Sequence, residues 1–417
     1  MFKKQTFKNG IRLITSPLHE TQTASLLVLF KVGSRQEAKP IEGVSHFVEH
    51  LMFKGTKKRP TTLDLSKELD GIGAEYNAYT GKDVTGYHIK ADARHLSLAI
   101  DMLSDMLTGS LFRAEEIAKE KGVIVEEINM YEDNPLMLVE QMLEELMFKN
   151  GELSHLIAGS VKTVRSLDRA KILRYKKQYY VGANIVIGLS GKFTSKHARE
   201  IREKFVFNKG RKSLIQKLRA RQKSPRVRVK FKDSEQAQLA LGFPAFSHHD
   251  RRIFALQLLS VILGGNMSSR LFINVREKRG LAYFVRAWPN LYDDTGSIVI
   301  QAGLDKSRLD EAIAVILAEL NKLKTDVSQE ELSRAKEFIA GKLALEMEDS
   351  MALAQWYANL ELLGKKLVTP EERLKKIMAV KLSEVKKVAG DLFNLSRANL
   401  AVIGPFRDKD RFSKLLK

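Results

Sequence analysis

The 417-residue chain contains no cysteine. That excludes disulfides, thiolate metal ligands and a thiol nucleophile, and it suits a reducing compartment. Long apolar runs are also missing. Nothing approaches the roughly 20 consecutive apolar residues that cross a bilayer, so no membrane span and no membrane partner are expected. Met1-Phe2-Lys3-Lys4-Gln5-Thr6 leads straight into an Asn9-Gly10 turn signal followed by Ile11-Arg12-Leu13-Ile14. No signal or transit segment is expected there, and the expected location is cytoplasmic. Acidic residues are in deficit, 50 Asp and Glu against 70 Lys and Arg, for a net charge of +20. Eleven of those cations fall between 209 and 232 with no acid among them. No aromatic stacking array or known nucleic-acid motif accompanies the run, so no nucleic acid is expected as partner.

What is present is ordinary for a globular protein, with 44% hydrophobic and 29% charged residues. A chain of this length exceeds the size at which one core stops growing, which predicts two domains of about 200 residues. The most informative stretch is Ser45-His46-Phe47-Val48-Glu49-His50-Leu51-Met52-Phe53-Lys54. Its pattern predicts one amphipathic helix. His46 and His50, four apart, then leave the same face one turn above the other, where two neutral imidazoles can hold one small cation. Glu49 flanks that patch and is placed to take a proton from water there. Such a pair can also arise by accident on a core helix, so a third ligand is needed.

Candidates lie in Glu120-Lys121-Gly122-Val123-Ile124-Val125-Glu126-Glu127-Ile128. On a helix Glu120 and Glu127 share a face around Ile124, and Glu126 is rotated away. By itself this run also reads as a solvated acidic face. In order along the chain, a hairpin is expected at Asn9-Gly10 and strands at 25–30, 74–80 and 84–91. Helices are expected at 61–69 and 93–107, and the acidic helix ends near Asp133-Asn134-Pro135.

The string H-x-x-E-H, with 76 residues between His50 and Glu127, resembles the inverted zinc motif of the pitrilysin/insulinase family of metallopeptidases. The resemblance implies His46, His50 and Glu127 as ligands of one Zn2+ per chain, Glu49 as general base, and Glu120 as an outer acid that orients the site. It also implies that Asn77, Ala78 and Tyr79 belong to a substrate-holding edge strand, on which an extended peptide adds as a further strand. In the second half, Arg276 and Tyr283 resemble the family's arginine and tyrosine pair, which binds peptide and donates to the oxyanion.

The chain also repeats itself. Ala99-Ile100, Leu103 and Leu107 are echoed by Ala312-Ile313, Ile316 and Leu320, and the stretch starting Ala183-Asn184 by that starting Ala398-Asn399. Aligned on these landmarks, His46, Glu49 and His50 fall opposite Leu256, Leu259 and Ser260, and Glu127 opposite Lys342. The second copy is therefore expected to bind no metal.

The expected fold is α+β: two homologous α/β sandwich domains, each a mostly antiparallel sheet packed with helices. Residues 1–209 would form a zinc-binding catalytic domain, 210–225 a basic linker, and 226–417 a homologous domain carrying the Arg/Tyr pair. The short-chain branch of the family includes the mitochondrial processing peptidases and encloses substrate between two chains. The expected function is a zinc-dependent endopeptidase acting on unstructured peptides in a closed dimer cavity. Because one chain carries both signatures, a homodimer is expected, with a second, non-identical chain as the other option. The competing reading is a non-catalytic scaffold, like respiratory-complex core subunits of the same fold.

Overall fold

The computed structural model describes residues 2–215, 218 and 222–416. The chain divides into two compact units, each built around one mixed sheet. The first unit takes residues 1–129, 155–215 and 343–368, and the second 130–154, 216–342 and 369–417.

In the first unit the strands are β1 (Lys3–Thr6), β2 (Arg12–Pro17), β3 (Thr23–Phe30), β4 (Glu75–Thr80), β5 (Thr85–Asp92) and β6 (Ile185–Gly191), in the order β1-β2-β6-β3-β5-β4. All neighbours are antiparallel except β2 and β6. The β1–β2 hairpin turns at Asn9-Gly10 as the dipeptide predicts, with Gly10 at φ +89°, a region open to glycine at no steric cost. One face of this sheet meets the helices Val44–Leu51 and Leu96–Gly109 in a core including Leu26, Val28, Phe47, Val48, Leu51, Ile100 and Leu103.

The second unit has β7 (Arg226–Phe231), β8 (Gln236–Ala245), β9 (Ala282–Leu291), β10 (Gly296–Asp305) and β11 (Asn399–Gly404), in the order β7-β11-β8-β10-β9. Here only β7 and β11 are parallel. Strand for strand this repeats β2-β6-β3-β5-β4, so the sequence echo marks a true structural repeat. Where the first unit has the helix Val44–Leu51, the second has Ile253–Gly264, whose Leu256, Leu259 and Ser260 are all buried in its own core. The fold is thus α+β, two helix-packed mixed sheets.

The units are not the contiguous halves expected from the sequence. The helix Pro135–Met147 covers the second sheet, with Val139, Met142 and Leu143 against Ala240, Val299 and Ala401. The helix Ser350–Leu362 covers the first, with Ala354, Tyr357 and Ala358 against Ile14, Leu27 and Leu29. Both sheets are apolar on two faces and need a cover on each, and amphipathic pattern cannot say which sheet a helix covers. Gly188 on β6 lets the Ser350–Leu362 helix come close, since a Cβ there would sit 2.8 Å from the Ala354 carbonyl oxygen.

The basic run extends past the expected linker into the second unit's sheet. Residues 226–231 form β7 at the sheet edge, where Arg226 donates to the Leu146 carbonyl at 2.8 Å and Arg228 pairs with Glu145. Lysine and arginine on an edge strand discourage pairing with other chains. Residues 216, 217 and 219–221 of the expected linker lie outside those described.

Candidate metal centre

The helix Val44–Leu51 is held at both ends by side chains and turns from elsewhere in the first unit. At its start Gly43 has no side chain to cap with, and the buried Glu37 carboxylate accepts from the backbone N–H groups of Gly43 and Ser45, both at 2.7 Å. Burial pushes Glu37 up to about 8, against hydrogen bonds from Ser45 and Gly43 that favour its charged form. Ser45 Oγ is 2.6 Å from the buried Tyr175 hydroxyl, which fixes the helix's rotation about its axis. Regular helix ends at Leu51, three residues before the expected Lys54. Gly55 follows at φ +101°, and a Cβ there would sit 2.2 Å from the Pro60 carbonyl oxygen. The last turn tightens, with Phe53 N–H donating to His50 and Lys54 N–H to Leu51.

His46 and His50 leave this helix on one face, with their Nε2 atoms 3.2 Å apart. The third donor comes from the long helix Ala114–Asp133. Glu127 Oε2 lies 3.5 Å from His46 Nε2 and 3.6 Å from His50 Nε2. Glu126, the preceding residue, is exposed. Glu120 sits two turns earlier on the same face, buried, with Oε2 3.0 Å from His50 Nδ1 and Oε1 2.7 Å from Lys54 Nζ. Burial raises the Glu120 carboxyl, but hydrogen bonds from His50 and Lys54 outweigh it and leave the group below the usual carboxylate range. An ionised Glu120 accepts from the His50 Nδ1–H, which leaves the Nε2 lone pair facing His46 and Glu127.

Whether these residues suit a metal can be tested on the donor atoms. Burial pushes His46 down to about 3, with His50 adding to the shift, so His46 is neutral near pH 7. Two imidazole lone pairs and a carboxylate oxygen this close repel one another, and a cation among them turns repulsion into attraction. Tetrahedral zinc with bonds of about 2.0–2.1 Å has ligand atoms roughly 3.3 Å apart. The observed separations of 3.2, 3.5 and 3.6 Å agree, so the three residues fit zinc.

Glu49, between the two histidines in sequence, is held from the other side by β4, where the Thr80 hydroxyl donates to Glu49 Oε2. Burial raises the Glu49 carboxyl, opposed by Thr80 and His50 and assisted by the charge of Glu127. A carboxylate raised in this way is a stronger base than one in water. From the sequence Thr80 is expected only as the end of the edge strand, with no role toward Glu49. Its signal is alternation: on β4 it shares a face with Ala78, the face that packs toward the helix.

Among the described residues β4 is the last strand of its sheet and pairs only with β5, so its outer edge is open there. The Ala78 N–H donates to the Asn77 side-chain oxygen at 2.8 Å, and Asn77 is exposed. Tyr79 points to the opposite face, its ring over Gly86, so any contact it makes with a strand at this edge is through its backbone. In the second unit, Tyr283 stands on β9, the edge strand of that sheet, with its side chain 74% exposed. Arg276 lies in the helical turn Phe272–Glu277, with its guanidinium 4.8 Å from the Phe272 ring and 6.0 Å from that of Tyr283. The two residues expected to act as a pair are neighbours.

Among the described residues no helix is long and apolar enough to cross a membrane. Residues 12–160 match the family model described as insulinase, peptidase family M16, and residues 166–339 match the peptidase M16 inactive domain. The chain is 34% identical to an uncharacterized zinc protease of Streptomyces coelicolor over 98% of its own length and 90% of that protein's. Its fold matches a protease from Helicobacter pylori with a TM-score of 0.90 at 22% identity, covering 97% of this chain and 99% of that one. It also matches a chain of Complex III2 from Candida albicans, with a TM-score of 0.86 at 20% identity, covering 99% of both. At such identities these two likenesses speak for the fold alone. With its zinc-type donor set on an H-x-x-E-H helix and a relative named a zinc protease matching it end to end, the chain belongs to the insulinase family of peptidases, family M16.

Proposed function

We propose that this protein is a zinc-dependent endopeptidase that cleaves unstructured peptides, its site completed by a second copy of the chain. The observation that carries the reading is the convergence of His46, His50 and Glu127 to within 3.6 Å with Glu49 beside them. His46, His50 and Glu127 would hold the ion, and zinc bound there supplies Lewis acidity and makes water nucleophilic near neutral pH.

The chain's own residues do the rest. An extended peptide pairs with the open edge of β4, displacing the Asn77 side chain from the Ala78 N–H. Glu49 takes a proton as the water oxygen bonds to the scissile carbonyl carbon. It then returns a proton to the departing amine as the C–N bond breaks, and Thr80 holds it in place through both steps. The Tyr283 hydroxyl of the second copy donates to the oxyanion that forms on the carbonyl oxygen, and Arg276 binds the peptide's carbonyls. Glu120, through His50, orients one ligand, with Lys54 holding Glu120 in turn.

Cleavage of a mixed peptide library, mapped by mass spectrometry with and without a chelator, tests the reading. Chelator-sensitive cuts that return on adding zinc are expected. A non-catalytic scaffold of the same fold would make none. Mixing Glu49→Gln chains with Tyr283→Phe chains should regain up to about a quarter of the sites, the statistical share if each site takes one residue from either copy. An absence of rescue means each chain completes its own site. Glu120→Gln should lower zinc affinity about 10–100-fold in a competition with a chromophoric chelator, the usual cost of losing an orienting partner; unchanged affinity would remove Glu120 from the site.

A further inference from the structure

We propose that the second unit carries its own site for a divalent transition-metal cation, formed by His248, His249 and Asp293. The inference is independent of the peptidase reading. The two histidines follow the end of β8, and Asp293 lies in the turn between β9 and β10. In a strand, adjacent side chains point to opposite faces. Beyond Ala245 the chain has left the sheet, and both rings turn to one side, with centroids 4.0 Å apart and planes 55° apart.

Each ring then presents Nε2 to the same carboxylate oxygen. His248 Nε2 and His249 Nε2 are each 3.2 Å from Asp293 Oδ1, and the three donor atoms lie within 4.8 Å of one another. Two imidazoles each 3.2 Å from one carboxylate oxygen form a donor set of the kind that suits a first-row metal such as zinc or cobalt. The donors are also fixed in place before any ion arrives. His248 is buried, its backbone N–H donates to the Tyr292 carbonyl at 3.0 Å, and the Tyr292 N–H donates to Thr295 at 2.9 Å. The nearby cation Arg252 is already paired with Asp250 at 2.7 Å and Asp391 at 3.1 Å, so it does little to repel a metal. His249 is half exposed, which leaves the side opposite Asp293 open to water or a further ligand. An ion here would tie the β9–β10 hairpin, and with it the strand bearing Tyr283, to the end of β8.

The test counts zinc. The full chain, dialysed against micromolar Zn2+ and analysed by elemental mass spectrometry, should hold about two ions, one for each three-donor set. His249→Gln and Asp293→Asn should each hold about one, and His46→Gln/His50→Gln should also retain about one, with circular dichroism checking the fold of each variant. With Co2+ in place of zinc, the His46→Gln/His50→Gln chain should show visible absorption that Asp293→Asn removes. Should the histidine double variant fail to fold, the loss of one ion in His249→Gln, an exposed position, decides alone. The proposal is overturned if that variant and the unmodified chain hold the same number of ions. His249 would then be a hydrogen-bond partner of Asp293, and His248 its close neighbour, and nothing more. It is overturned equally if a folded His46→Gln/His50→Gln chain holds none.

Discussion

Glu49→Gln should lower peptide hydrolysis by a factor of about 10³–10⁴ while the protein keeps its zinc. General acid–base catalysis accounts for roughly 10²–10⁴ in many enzymes, and Glu49 would serve twice, taking one proton and delivering another, which points to the upper end. Glutamine has the same shape and still accepts the hydrogen bond from Thr80, so the helix and its two histidines stay where they are. What it lacks is basicity. The measurement pairs turnover of a fluorogenic peptide with zinc content after dialysis. Retained zinc with lost turnover is the expected result, and lost zinc would make Glu49 a ligand and the assignment of roles wrong.

The second large effect is on metal affinity. Glu127→Gln should weaken zinc binding a hundredfold or more. Zinc sites with four ligands bind with roughly 10–16 kcal/mol, or about 3 kcal/mol for each ligand, and a neutral amide also forfeits the charge attraction of the carboxylate. Glu126→Gln is the internal control, since it removes the same charge one residue away from an exposed position and should leave affinity unchanged. Equal losses in the two variants would mean that general negative charge, and not coordination by Glu127, holds the ion. No loss in either would move the third ligand elsewhere and remove the basis of the peptidase reading.

Much of this site is legible in the sequence because its first part is local. His46 and His50 meet because a helix repeats every 3.6 residues, and the apolar Phe47, Val48 and Leu51 give that helix a buried side. Glu120 and Glu127 share a face for the same reason. The apolar helix with Leu256, Leu259 and Ser260 opposite the motif is equally readable, because a repeat keeps topology while side chains diverge. Where the reading falls short, it does so at element ends and at contacts between distant segments. The helix stops at Leu51 because Gly55 needs a left-handed backbone against Pro60, and that early stop turns Lys54 toward Glu120. Thr80 meets Glu49 through strand alternation combined with the packing of β4 on a helix 31 residues away.

By itself the sequence determined the donor types, their spacing within each helix, the repeat, and the replacement of the H-x-x-E-H residues by Leu256, Leu259 and Ser260 in the second copy. All of these follow from backbone periods that operate over a few residues. The periodicity left Glu120 and Glu127 as equal candidates until the family resemblance separated them, and only the tertiary structure decided that the helices Pro135–Met147 and Ser350–Leu362 cover the second and first sheets respectively. It alone brought His248 and His249 to Asp293, 44 residues on. Those outcomes depend on which apolar faces bury one another across long stretches of chain, and many pairings satisfy the same local pattern until the whole core is packed.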